Sequence, residues 1–228
     1  MKDQISFEES SFRDPSGSVF YKGDKVYRQV NKSYKSDFDL FISSGLKKSL
    51  EKSGLILSSK AIETKNLKSN NTYKVLEVQK IPYISYPYEW SFSQLKDVAL
   101  LTLQIQKQAL EHGMSLKDAS SYNVQFFKGK PVFIDILSFE KYIDGKPWIA
   151  YKQFCQHFLA PLALMAYKDI RLNQLFKIYL DGIPLDLTSK LLPKKTWLNL
   201  SFLIHLHVHA KSQTMYADKA DKVKKYKG

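Results

Sequence analysis

Lys117-Asp118-Ala119-Ser120-Ser121-Tyr122-Asn123 runs directly into Val124-Gln125-Phe126-Phe127, the triplet Lys128-Gly129-Lys130, and Pro131-Val132-Phe133-Ile134-Asp135. Two apolar runs on either side of a glycine-centred turn predict a β-hairpin. The polar loop before it carries Asp118 and Asn123, and the second run ends on Asp135. Two carboxylates and an amide oxygen gathered by a loop and a hairpin are hard ligands of the kind Mg²⁺ accepts. Phosphoryl transfer uses such a set. It needs one carboxylate, for which Asp118 is the candidate, to orient or deprotonate the attacking hydroxyl, and an Asn and an Asp, for which Asn123 and Asp135 are the candidates, to hold metal on the phosphates. A plainer alternative stands beside it: Asp118 and Asn123 cap local backbone, and Asp135 is a turn acid.

Upstream, Ser93 to His112 places Leu95, Val98, Ala99, Thr102, Ile105 and Ala109 on one helical face, and Gly113 sits at the C-terminal stop. Residues 114–122 read as a loop. Earlier still the chain is β-rich. Ser18–Tyr21 and Lys25–Val30 flank Lys22-Gly23-Asp24 as a hairpin, and Tyr73–Val78 and Tyr83–Tyr86 read as further strands. Between them, Ser36 to Lys52 carries Phe38, Phe41, Ile42, Leu46 and Leu50 at helical spacing, with Gly54 as its stop. Beyond Pro147 everything reads helical: 148–167 with a kink at Pro161, 172–180, 185–192 and a final helix over 197–217. A small sheet with one helix, followed by a helical lobe with a two-strand insert, is an α+β, two-lobed plan.

Composition narrows the function classes. With 228 residues, 44% hydrophobic and 14% aromatic, the chain has the apolar surface for a sizeable core, which excludes wholesale disorder. The single cysteine, Cys155, makes neither an intrachain disulfide nor a thiolate metal site and reads as packing inside an apolar helix. The start lacks the apolar run of a secretory signal. The greasiest stretch, Phe158 to Ala166, is far shorter than the roughly 20 residues that span a bilayer, so no membrane partner and a cytoplasmic location are expected. Net charge is +13, yet only Arg13, Arg28 and Arg171 are arginines and the lysines are scattered, the tail Asp218–Gly228 holding five. Base reading and phosphate clamping favour arginine, so nucleic acid is not the expected partner. No Gly-x-Gly occurs, which excludes dinucleotide-type and P-loop glycine fingerprints. His205, His207 and His209 read as core or interface histidines, and His112 as a partner of its helix C-terminus.

Lys117 to Asn123 resembles the catalytic loop of the protein-kinase-like superfamily, which includes aminoglycoside phosphotransferases, and Phe133-Ile134-Asp135 resembles its metal-binding strand end. The resemblance implies a two-lobed kinase-like fold that binds ATP and Mg²⁺, with a first lobe over 1–90 and a helical lobe over 91–228. It puts Asp14-Pro15-Ser16-Gly17-Ser18-Val19 in the phosphate-loop place, with Gly17 the glycine that approaches nucleotide, and Arg28 at the phosphate anchor of the third strand. Ser36–Lys52 becomes the lobe-bridging helix, whose Glu51 or Asp39 would pair with Arg28. Residues 85–90 become the hinge, with Tyr86 and Tyr88 facing adenine. The pattern departs from the family at Leu116, at Ser120, at the turn Asp135-Ile136-Leu137-Ser138, at the lone Gly17, and at Arg28, where lysine is usual.

Residues 84–97, 110–120 and 154–162 resemble a bacterial family labelled SAM-dependent methyltransferase or nodulation-related protein. That likeness implies the leading kinase-like part of such a protein, with a methyltransferase domain or subunit as partner. Helices after Pro147 are fewer than a full second lobe holds, so truncation or a partner is expected. Three functions follow. The chain is a phosphotransferase-like domain for a small or polar substrate, a non-catalytic pseudokinase-like module of a methyltransferase system, or a lysine-rich polyanion-binding scaffold.

Overall fold

The computed structural model describes residues 5–8, 14–63 and 70–209. The architecture is mixed α+β, a small antiparallel sheet followed by helices, as the pattern predicts. Five strands, β1 (Ile5–Phe7), β2 (Gly17–Lys22), β3 (Lys25–Asn31), β4 (Ser59–Ile62) and β5 (Thr72–Val78), form a sheet in the order β1-β2-β3-β5-β4. Gly23 makes the β2–β3 turn at φ 58°. Phe20 and Tyr27 stack at 5.2 Å and pack with Val75 on one face.

The helix expected over 36–52 is two helices, α1 (Lys35–Ser43) and α2 (Leu46–Lys52). Gly45, at φ 82°, turns the chain out of helical geometry between them. Phe38, Phe41, Leu46 and Leu50 are buried, while Ile42, in the last turn of α1, is exposed. Tyr83–Tyr86 is not a strand. Both edges of β5 are taken, by β3 and by the unexpected β4, so that stretch finds no edge there, and Pro82 and Pro87 lack the donors a ladder needs.

A long helix, α3 (Phe92–Glu111), ends at Gly113. Beyond it β6 (Met114–Leu116) pairs with β9 (Phe139–Lys141), where a loop was expected, and the predicted hairpin forms as β7 (Val124–Phe127) and β8 (Lys130–Phe133). Three contacts tie this region to the first strands and helices. Phe133 donates its N–H to the Leu55 carbonyl at 2.9 Å, and Phe41 stacks on Phe139 at 4.8 Å. The Tyr34 hydroxyl also donates to the Phe139 carbonyl.

Downstream, α4 (Tyr151–Phe154) passes through a π-wound turn at Cys155–Leu159 into α5 (Ala160–Tyr167). The turn lies just before Pro161, whose missing N–H disturbs the helical ladder. Residues 170–177 are 3₁₀-wound, α6 covers Leu185–Leu191, and Leu200–Phe202 (α7) leads into a second π-wound stretch, Leu203–Val208. The part of the final expected helix past 209 and the lysines of 218–228 lie outside the described residues. Cys155, Leu164, Ile183, Leu185, Leu192 and Leu206 share one core.

The chain divides into two compact units. The first combines residues up to Ile84 with Leu101–Asp118 and Asn123–Ile149; the second combines Ser85–Leu100, Ala119–Tyr122 and residues from Ala150 on. Among the described residues no helix is long and apolar enough to cross a membrane.

Candidate functional site

Asp135 is positioned by the hairpin. It follows β8 and opens a turn in which the Ser138 N–H donates to its carbonyl at 3.2 Å and the Leu137 N–H donates to its Oδ1 at 3.2 Å. The Ser138 hydroxyl donates to Asp135 Oδ2 at 2.5 Å, and the Asn123 side-chain amide donates to that hydroxyl oxygen at 3.3 Å. Asn123 is itself tied to the strand end, because the Ile134 N–H donates to its carbonyl at 2.8 Å. Asn123 and Asp135 are therefore joined through Ser138, a residue whose part the sequence pattern did not reveal.

Arg28 projects from the middle of the sheet, on β3 between β2 and β5. Its Nη2 contacts Asp135 Oδ1 and lies 3.3 Å from Asp14 Oδ2. Asp14 is fixed by its own loop, accepting the Ser16 N–H on Oδ1 at 2.8 Å. Arg28 thus joins two acids, one 14 residues before it and one 107 after. The Arg28 Nε–H is buried and has no hydrogen-bond partner among the described residues.

The expected partners of Arg28 hold other groups. Glu51 accepts from Lys47 Nζ at 2.6 Å and from the Ser59 N–H at 2.9 Å. Asp39 accepts from Lys35 Nζ and the Tyr73 hydroxyl, both at 2.6 Å, contacts that hold its carboxyl below the usual range.

Gly17 lies at the start of β2, pressed against the neighbouring strand. A Cβ there would stand 2.0 Å from the Gln29 carbonyl oxygen and 2.6 Å from Leu137 Cδ1. Its smallness lets the 14–17 loop close onto β3 and the Asp135 turn. Lys117, just before Asp118, is anchored at both ends. Its N–H donates to the Ser138 carbonyl at 2.8 Å and its Nζ donates to Ser16 Oγ at 2.9 Å, 4.5 Å from the centre of the Tyr34 ring. Asp118 follows Lys117 directly and closes the Leu101–Asp118 segment of the first unit. Burial, then the charges of Asp37 and Asp135, raise the Tyr34 hydroxyl well above its ordinary range, so it stays a neutral donor.

Asp135 and Asn123 are oxygen donors of the type Mg²⁺ takes, and their chemistry fits that ion. The same carboxylate already carries the Arg28 guanidinium, the Ser138 hydroxyl and the Leu137 N–H. Tyr86 and Tyr88 belong to the second unit, where their rings stack at 5.4 Å and Lys177 Nζ lies 5.3 Å over Tyr88. In that unit the Asn173 amide donates to the Tyr88 and Trp90 carbonyls, both at 3.1 Å, and fixes the segment. His207 is buried between Ser189 and Thr196 and stacks on Trp197 at 4.2 Å, a core histidine as its setting suggested.

The sequence is 36% identical over 206 residues to the nodulation protein NoeA of Rhizobium meliloti (strain 1021). It is similar to part of that protein. The match covers 90% of this chain and 43% of NoeA, so the chain spans less than half the length of that relative. No family model matches the sequence. Among solved structures, that of vaccinia related kinase 3 aligns with a TM-score of 0.43 at 12% identity, covering 60% of this chain and 47% of the other.

Proposed function

We propose that this chain is a kinase-like domain that binds ATP with Mg²⁺ and passes the terminal phosphate to a polar small molecule. The observation that carries the reading is the network Asn123–Ser138–Asp135–Arg28–Asp14, which gathers side chains from a hairpin, a central strand and the loop before β2 within one unit. Asn123 and Asp135 hold the metal, whose chemistry is to neutralise phosphate charge. Arg28 anchors the phosphates and Lys117 braces the 14–17 loop. Asp118 takes the proton of the acceptor hydroxyl as its oxygen bonds to the γ-phosphorus and the bond to the leaving ADP breaks.

A second reading is favoured by relative length. The match spans 43% of NoeA, and Asp135 already carries Arg28, Ser138 and the Leu137 N–H; together these support a non-catalytic, pseudokinase-like module that positions substrate, or a methyltransferase domain or subunit.

Thermal unfolding with and without ATP and Mg²⁺ tests the first reading. A rise in Tm of several degrees that Asp135→Asn abolishes is expected, and no rise with the wild type overturns it. Phosphate transfer lost in Asp118→Asn, with the Tm rise kept, separates catalysis from binding. A methyltransferase that co-purifies with a chain indifferent to nucleotide establishes the second reading. Retention on heparin that fades at moderate salt and ignores Asp135→Asn marks a polyanion scaffold instead.

A further inference from the structure

We propose that Arg28 is a built-in counter-cation: it keeps Asp135 closed to free divalent cations and releases it only when an oxyanion takes the guanidinium. The nucleotide reading is needed only for the identity of that anion; the exchange itself rests on the contacts of Arg28. Two carboxylates converge on one Nη2, and the side chains of Arg28, Asp14 and Asp135 keep 12%, 31% and 18% of their exposure. Two acids brought to one nitrogen are bridged by its positive charge, and removing that charge leaves like charges facing each other. Both acids are held independently of Arg28, Asp14 by the Ser16 N–H and Asp135 by Ser138 and the Leu137 N–H. The cage therefore persists when the guanidinium leaves.

Arg28 is also poorly satisfied where it is. One nitrogen serves both acids, so neither contact is the two-pronged fork that makes arginine–carboxylate pairs strong. Its Nε–H is buried without a partner among the described residues, which costs free energy that a phosphate oxygen in reach of that N–H recovers. β3 lies inside the sheet, so the flexible side chain rather than the strand makes the exchange. Asp14 thereby becomes a specificity-determining residue. It competes with phosphate for Arg28, and once Arg28 is gone it completes an oxygen set with Asp135 and Asn123.

The test is the uptake of Mn²⁺ alone, read from the free-ion electron paramagnetic resonance signal. The wild type is expected to leave that signal unchanged at concentrations where Arg28→Gln takes up one equivalent, a gain of at least tenfold in affinity. Asp135→Asn added to Arg28→Gln should return uptake to the wild-type level, and Asp14→Asn should weaken it. Arg28→Met, which keeps the packed stem and drops the charge, gives the same comparison if the glutamine variant does not fold. Wild-type protein that takes up an equivalent of Mn²⁺ alone overturns the proposal without either variant, as does a folded charge-free variant that takes up none. The two ideas fail separately. A wild type stabilised by ATP and Mg²⁺ beside an inert Arg28→Gln sinks the exchange and leaves nucleotide binding. Mn²⁺ uptake by Arg28→Gln in a protein blind to ATP does the reverse.

Discussion

His157 is a buried imidazole with its polar atoms accounted for. The Ser121 N–H donates to its Nδ1 at 3.3 Å, which makes that nitrogen an acceptor and leaves the proton on Nε2. Phe176 stacks on the ring at 6.1 Å, and burial holds its pKa down to about 4 against a weaker pull from Asp181. An unfolded imidazole takes its proton near pH 6.5, so between there and pH 4 the unfolded state binds more protons and stability falls as the pH falls. The gap corresponds to at most about 3 kcal/mol. His157→Gln is expected to lose less stability than the wild type between pH 7 and pH 4, measured by urea unfolding at each pH; parallel curves would refute the assignment. Residue by residue, the legible signals were local ones. Asp135 at the end of an apolar run and Asn123 beside it announced themselves by spacing. The partners of Arg28 did not, because one lies 14 residues before it and the other 107 after, and nothing in a strand's alternation says which loop or turn it faces. Ser138 was equally silent, a serine among 228 residues until its hydroxyl is seen on Asp135.

Among the elements, periodicity found the hairpin β7–β8 and the amphipathic α3 because their apolar residues repeat with the period of the structure they form. It failed where geometry overrides the repeat. Phe38, Phe41, Leu46 and Leu50 keep helical spacing straight through Gly45, yet the backbone there is left-handed. A Cβ at Gly45 meets nothing within 4 Å, so alanine is penalised by conformation alone. Gly45→Ala should cost about 1 kcal/mol in urea unfolding, and Gly45→Asn less, since asparagine tolerates that region better. No loss in the alanine variant would mean that α1 and α2 can merge into one rod. Strand β4 carries no periodic signal for another reason. Ser59-Lys60-Ala61-Ile62 is a short, half-polar edge, and only its pairing with β5 makes it a strand.

For the molecule as a whole, contacts partition the chain differently from its linear order. A boundary at residue 90 leaves the first unit without Leu101–Asp118 and Asn123–Ile149, including β6 to β9, the Phe133 N–H that bonds Leu55 and the Phe139 ring that stacks on Phe41. The fragment 1–90 is expected to unfold without a sharp transition in thermal circular dichroism, while 1–149 regains one. A cooperative 1–90 would show the first strands and helices to be self-sufficient. The class was readable because layer order follows element order, whereas this interleaving was not, since hydrophobic period says nothing of which distant segments share a core.

The same interleaving sets a waiting time during synthesis. The ribosome must add 65 residues after Ile84 before Ile149 completes the first unit. At about 5–20 residues per second this leaves its nascent strands unsheltered for roughly 3 to 13 seconds. Over that interval the strands' apolar faces wait for segments that the ribosome has not yet delivered.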